Sequence, residues 1–220
     1  MLNSKEPLME LASVNTALPE EYRYNNKTIQ TSIFKKPVEG RVWVSAEGLS
    51  GDKQADLKCH GGEHKAVYAF SLGEYEYWKP HVADSVMSAG YFGENLSIQG
   101  ANLEQLYIGD RLRIGNCVME ITQPRVPCFK LALRAGNKAL PKYFIDRAKT
   151  GFYLRVIKAG IIEKGQPIEL MEGHRDGLSV EAVFKAFFEK GFPDRVKINT
   201  LALCIDALSE EWKAMIRKII

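Results

Sequence analysis

Residues 110–122 alternate apolar and polar side chains around Gly115-Asn116, and no other stretch restricts the possible folds as much. A two-residue glycine-asparagine turn joins antiparallel strands directly, so the segment reads as a β-hairpin. Leu112, Ile114, Cys117, Met119 and Ile121 then share one face, which must be buried against other β structure. Continuing that parity puts Gln123 on the same inward face, just before Pro124 removes a backbone donor and ends the ladder. Gln123, Arg125 and Cys128 are therefore expected together at a rim. A cysteine on a proline-stiffened loop beside a guanidinium is held in place, and the positive charge favours its thiolate. Such a thiolate binds a soft metal or acts as a nucleophile.

The rest of the chain supports a mostly β fold with helices. Residues 9–14, 28–34 and 40–46 have strand composition, with a polar turn at 24–27, and 67–70 reads as a buried strand. Ser71 reads as the N-cap of a short aromatic helix ending near Pro80. Helices are expected at 128–135 and 140–148 on the outside of a barrel, followed by strands at 151–160 and 167–171. After 172 the period changes. Val180, Val183, Phe184, Phe187 and Phe188 recur at helical spacing behind Ser179, with Gly191 as a stop, and Trp212, Met215, Ile216, Ile219 and Ile220 do so behind Ser209. With a further helix around 196–205, the expected organisation is a β-barrel domain over 1–172 and a three-helix domain over 173–220.

A chain of 220 residues, 45% hydrophobic, can bury a sizeable core. Its net charge of +3, with eight Lys or Arg against seven Asp or Glu in 173–220, gives no basic face for nucleic acid. No apolar run reaches the roughly eighteen residues of a membrane span. Four widely spaced cysteines without a leading apolar signal segment point to a reducing, cytoplasmic setting.

The segment Cys59 to His64 resembles a zinc motif, but Gly61-Gly62 makes the helix that would align His60 with His64 expensive. It reads better as an anion-holding loop, His60, Gly61 and Gly62 with Lys65 adding charge, or else as a tight turn with solvated histidines. Asn95 either aims its amide at the rim or folds back on its own turn. Cys117 and Cys204 occupy apolar positions and read as core cysteines. Arg125 either holds an anion or pairs with a carboxylate such as Glu94.

Taken in order, GDKQAD (51–56), HGG (60–62), FGENLS (92–97), IGD (108–110) and QPRVPC (123–128) resemble the MOSC domain family. The tail is similar to that of its small stand-alone bacterial members of the YiiM type. The resemblance implies a β-barrel, a molybdenum cofactor of the molybdopterin type, and Cys128 as the molybdenum ligand and catalytic residue. It maps the pocket onto His60, Gly61, Gly62, Asn95, Gln123 and Arg125, with Lys65 beside them, and leaves no role for pyridoxal phosphate. It further implies reduction of small N-hydroxylated compounds, such as hydroxylaminopurine-type base analogues, with electrons from a separate reductase. The chain has neither iron-sulfur cysteine spacing nor a GxGxxG motif to carry electrons itself. A cofactor carrier or sulfur-relay protein is the alternative, and a Cys128–His60 thiol hydrolase a third. Neither nucleic acid nor membrane is an expected partner, and a homodimer is the expected assembly if the chain self-associates.

Overall fold

The computed structural model describes residues 9–56, 61–83, 87–173 and 177–220. Its centre is a closed barrel of seven strands: β1 (Met9–Thr16), β7 (Val67–Ser71), β8 (Leu96–Gln99), β9 (Arg111–Ile114), β10 (Cys117–Pro124), β11 (Phe152–Lys158) and β13 (Pro167–Glu172). Going round, β1 is followed by β13, β9, β10, β11, β7 and β8, which returns to β1. β7 and β8 pair in parallel; the other barrel pairings are antiparallel. Closure leaves no open edge in the barrel. The fold is mostly β with helices, as expected.

The hairpin that dominates the sequence joins β9 to β10, with Cys117 opposite Ile114. Leu112, Ile114, Cys117, Met119 and Ile121 are all fully buried in one core. Gly115 has φ +56, and a Cβ there would lie 2.6 Å from the Ile161 carbonyl oxygen, so the turn requires glycine. The parity does not carry on to Gln123, because the β10–β11 register shifts between Ile121 and Gln123. A bulge of this kind re-aims the side chains that follow it.

Strands shorter than the expected runs lie outside the barrel. β2 (Glu20–Tyr24) and β3 (Lys27–Thr31) form a separate hairpin, turned by Asn25 and Asn26 at φ 48 and 60, where asparagine is tolerated. β4 (Lys36–Val38) adds to β1, and β5 (Val42–Ser45), β6 (Gly48–Leu49) and β12 (Gly160–Ile162) form a three-stranded sheet.

Helix α1 (Tyr75–Trp78), α2 (Phe129–Ala135) and α3 (Leu140–Arg147) pack outside the barrel on a second, aromatic core. There Trp78 and Phe144 stack at 4.0 Å, with Phe70 and Phe92 against them. Gly136 closes α2 in the left-handed conformation, as its position predicts. Ser71 does not cap the first helix; its hydroxyl donates to the Ala101 carbonyl instead.

Helices α4 (Val180–Phe188), α5 (Arg195–Ala202) and α6 (Glu210–Ile216) follow the barrel. Ser179 and Ser209 cap α4 and α6, accepting from Ala182 N and Trp212 N. α4 ends before Gly191, at Phe188, and α6 ends at Ile216, short of Ile219 and Ile220. Val180, Val183, Phe184, Trp212 and Ile216 join the same buried cluster as the barrel interior. Cys204, expected in the core, is exposed, because α5 stops at Ala202 and the chain turns it outward.

Candidate functional site

Where β10 runs out, Pro124 is the last paired residue, opposite Phe152, and the backbone N–H of Arg125 donates 3.1 Å to the Gly151 carbonyl. This close approach needs the small residue: Gly151 has φ +77 and its missing Cβ would collide with the Ala69 carbonyl. Three residues on, Cys128 sits in extended backbone immediately before α2, partly exposed. Arg125, Cys128, Lys65 and Asn95 all line one cleft, which encloses about 570 Å³ including its open mouth. That is within the ~300–1,000 Å³ of small-molecule sites.

The cleft is cationic. Lys35, Lys65, Arg125 and Lys130 line it, against Asp52 as the one lining carboxylate among the described residues. Arg125 is only 5% exposed, with its guanidinium 5.0 Å over the Tyr68 ring. Its Nη1 is enclosed and has no hydrogen-bond partner among the described residues. The Oγ of Ser32, on the same cleft, is likewise unpartnered. A buried donor without an acceptor costs about 1–3 kcal/mol, more when charged, so these atoms fit an anionic or oxygen-bearing ligand that supplies it. Cys128 lies within electrostatic reach of Arg125.

Glu94 does not brace Arg125. It is fully buried, and its carboxylate accepts from Tyr75 Oη, Gly90 N, Phe92 N and Ser97 Oγ. Burial pushes its pKa up, against those hydrogen bonds.

Asn95 neither points freely at the rim nor folds back on its own turn. Its Oδ1 accepts from Tyr68 N at 3.1 Å, and its Nδ2 donates to the Asn15 carbonyl and, at 2.9 Å, to Asp52 Oδ2. Asp52 also accepts from Ala17 N and forms a buried ion pair with Lys35. Burial lowers the Lys35 pKa, partly offset by Asp52. This Lys35–Asp52–Asn95 network escapes sequence reading, since its members are 17 and 43 residues apart with no spacing rule to join them. Asp52, inside GDKQAD, and Asn95, inside FGENLS, each carried a signal; Lys35 carried none, and nothing in the spacing showed that the three meet.

The remaining expected residues fall elsewhere. Gln123 is buried, its Oε1 has no hydrogen-bond partner among the described residues, and it does not line the cleft, a consequence of the register shift before it. Gly61 and Gly62 lead into a 3-10 turn, Glu63–Lys65, that delivers Lys65 to the cleft. His60 and Cys59 lie outside the described residues. His64 is close to Glu63, with its Nδ1 enclosed and unpartnered, and no group of three or more metal-ligating side chains forms among the described residues. Burial pushes the Cys117 thiol up to about 11, in keeping with an inert core cysteine.

The fold and cleft thus define a β-barrel protein with a cationic ligand site lined by the partly exposed thiol of Cys128. The chain belongs to the MOSC domain family, which it matches over residues 56–169; MOSC domains are associated with molybdenum cofactor binding. It is 33% identical to YflK of Bacillus subtilis (strain 168) over 216 residues, covering 97% of this chain and 96% of that protein. A protein of Gibberella moniliformis (strain M3125 / FGSC 7600) named "Reductase" is 34% identical over 180 residues, covering 80% of this chain and 31% of that one. The crystal structure of YiiM from Geobacillus stearothermophilus superposes with a TM-score of 0.79 at 28% identity, covering 96% of this chain and 98% of that one. No helix among the described residues is long and apolar enough to cross a membrane.

Proposed function

We propose that this chain is a molybdenum-cofactor-dependent reductase of small N-hydroxylated compounds, of the hydroxylaminopurine type, that takes its electrons from a separate reductase. The observation that carries the reading is the enclosed, unpartnered guanidinium nitrogen of Arg125 in the same cleft as the Cys128 thiol. Cys128 would ligate the molybdenum, and Arg125, Lys65 and the glycine turn before it would hold the anionic end of the molybdopterin. Asn95 acts behind them by fixing Asp52 and the Tyr68 backbone. Tyr68 and Tyr153, whose phenols burial keeps protonated, line the cleft beside Arg125.

Removing oxygen from an N–OH consumes two electrons and two protons and releases water. When bound, the cofactor supplies the metal centre at which the oxygen is removed. In this reading Lys35, an ammonium whose pKa burial lowers, supplies a proton from Nζ and regains it from solvent. The name of the Gibberella moniliformis relative supports a reductive activity.

The test is to purify the chain from a host that makes the cofactor, measure molybdenum per chain, and assay an N-hydroxylated base with a chemically reduced donor. Molybdenum with turnover supports the reading. Molybdenum without turnover leaves a carrier or sulfur-relay protein, and absence of both rejects the cofactor assignment.

A further inference from the structure

Consecutive residues of α6 reach Lys65 and Pro124. Lys65, only 6% exposed as a residue, forms an ion pair with Glu211 through its ammonium. The Trp212 indole, fully buried, donates from Nε1 to the Pro124 carbonyl at 3.1 Å. The two side chains of the pair differ in environment: that of Lys65 is 8% exposed and that of Glu211 is 54% exposed. A buried ammonium needs a counter-charge, whereas a half-exposed carboxylate loses little on turning into water. Trp212 is packed against Phe187 at 5.4 Å and hydrogen-bonded to the end of β10, which anchors the first turn of α6, while the Glu211 carboxylate beside it is half exposed to water.

We propose that Glu211 is a displaceable counter-anion of the cleft: it holds Lys65 in the ligand-free protein and yields it to an incoming anionic ligand, while Trp212 keeps α6 in register. This rests on reading the cleft as a site for an anion-bearing cofactor. Glu211 is then a positioning residue that acts through Lys65, and the last helix takes part in loading the site without contributing a ligand to it. The exchange breaks one ion pair and forms another, with the Glu211 carboxylate released to water.

The test uses the full-length, cofactor-free protein and inorganic phosphate as the probe, so it does not depend on molybdenum or on turnover. Phosphate is titrated calorimetrically into wild type, Glu211→Gln, Lys65→Met and the double variant, and each melting temperature is recorded with and without phosphate. Glu211→Gln removes the competitor, and is expected to bind phosphate about five-fold more tightly, the scale of one half-exposed ion pair. Its phosphate-induced rise in melting temperature should be larger than in wild type, and the gain should vanish on the Lys65→Met background. Glu211→Ala repeats the test if the glutamine misfolds. Affinity that is unchanged, weaker, or undetectable in both wild type and Glu211→Gln overturns the proposal. A gain that persists without Lys65 also overturns it. Failure of the cofactor reading would instead appear as protein that binds phosphate as expected but carries no molybdenum from a cofactor-producing host.

Discussion

The indole nitrogen of Trp212 lies 3.1 Å from the carbonyl oxygen of Pro124, 88 positions earlier in the chain and next to the arginine of the cleft. The last helix is thereby tied to the strand end from which Arg125 and Cys128 project. Val180, Val183, Phe184, Trp212 and Ile216 complete the same apolar cluster as the barrel interior.

Trp212→Phe keeps most of the packing and leaves a buried carbonyl unsatisfied. It is expected to lower stability by about 1–3 kcal/mol in a urea titration. Ending the chain at residue 172 removes those five apolar side chains together and uncovers the core, so the shortened chain should lose cooperative unfolding in the same titration. A truncated chain with a sharp native-like transition would contradict the shared core.

The two barrel-side cysteines are expected to behave in opposite ways. Cys117 is fully buried, and Cys117→Ala should cost about 1 kcal/mol or more while leaving cofactor chemistry in place. Cys128 is partly exposed at the start of α2, and Cys128→Ala should leave the melting temperature unchanged while abolishing molybdenum-dependent turnover. Thermal melts and activity on the same preparations check both.

Arg125→Lys keeps a positive charge and loses the planar fork. Arg125 forms no ion pair among the described residues and the Glu94 carboxylate is saturated elsewhere, so the change breaks no ion-pair brace between the two loops. Molybdenum retention should weaken by about 1–2 kcal/mol, with no fall in the melting temperature of the cofactor-free protein. A lowered melting point with unchanged molybdenum would contradict the binding role.

His64 is expected to make stability depend on pH. Burial, then the Arg155 charge, lowers its pKa below the ordinary value, although Glu63 and Glu120 act the other way. In the unfolded chain it takes up a proton near pH 6.5, in the folded protein only at lower pH, so the unfolded state binds more protons as pH falls through that window. Its contribution to stability is complete above the unfolded value and declines below it. Between about pH 7.5 and about pH 5.5 the wild type should lose more melting temperature than His64→Gln. Equal losses would mean that other groups govern that range.

The parts of the fold legible in the sequence are those set by local period. Alternation around Gly115-Asn116 placed five side chains in the core, and serines before helical runs marked the caps of α4 and α6. The same logic failed at Gln123, because a register shift against β11 depends on the partner strand and leaves no mark in the alternation of β10 itself. It failed at Cys204 because apolar spacing continues past the residue where the helix stops. Of the cleft, Arg125 and Cys128 were legible through the prolines that flank them. Lys35, Tyr68 and Glu211 were not, since they meet the site only through tertiary closure of the barrel and the docking of α6.

The most direct test of the account is molybdenum content together with single-turnover reduction of an N-hydroxylated base, measured on wild type and Cys128→Ala from the same cofactor-producing host. The account predicts metal-loaded wild type that oxidises a reduced donor in step with substrate consumed, and a folded Cys128→Ala protein that does neither. Equal turnover by the two proteins, or turnover by wild type without molybdenum, would contradict it.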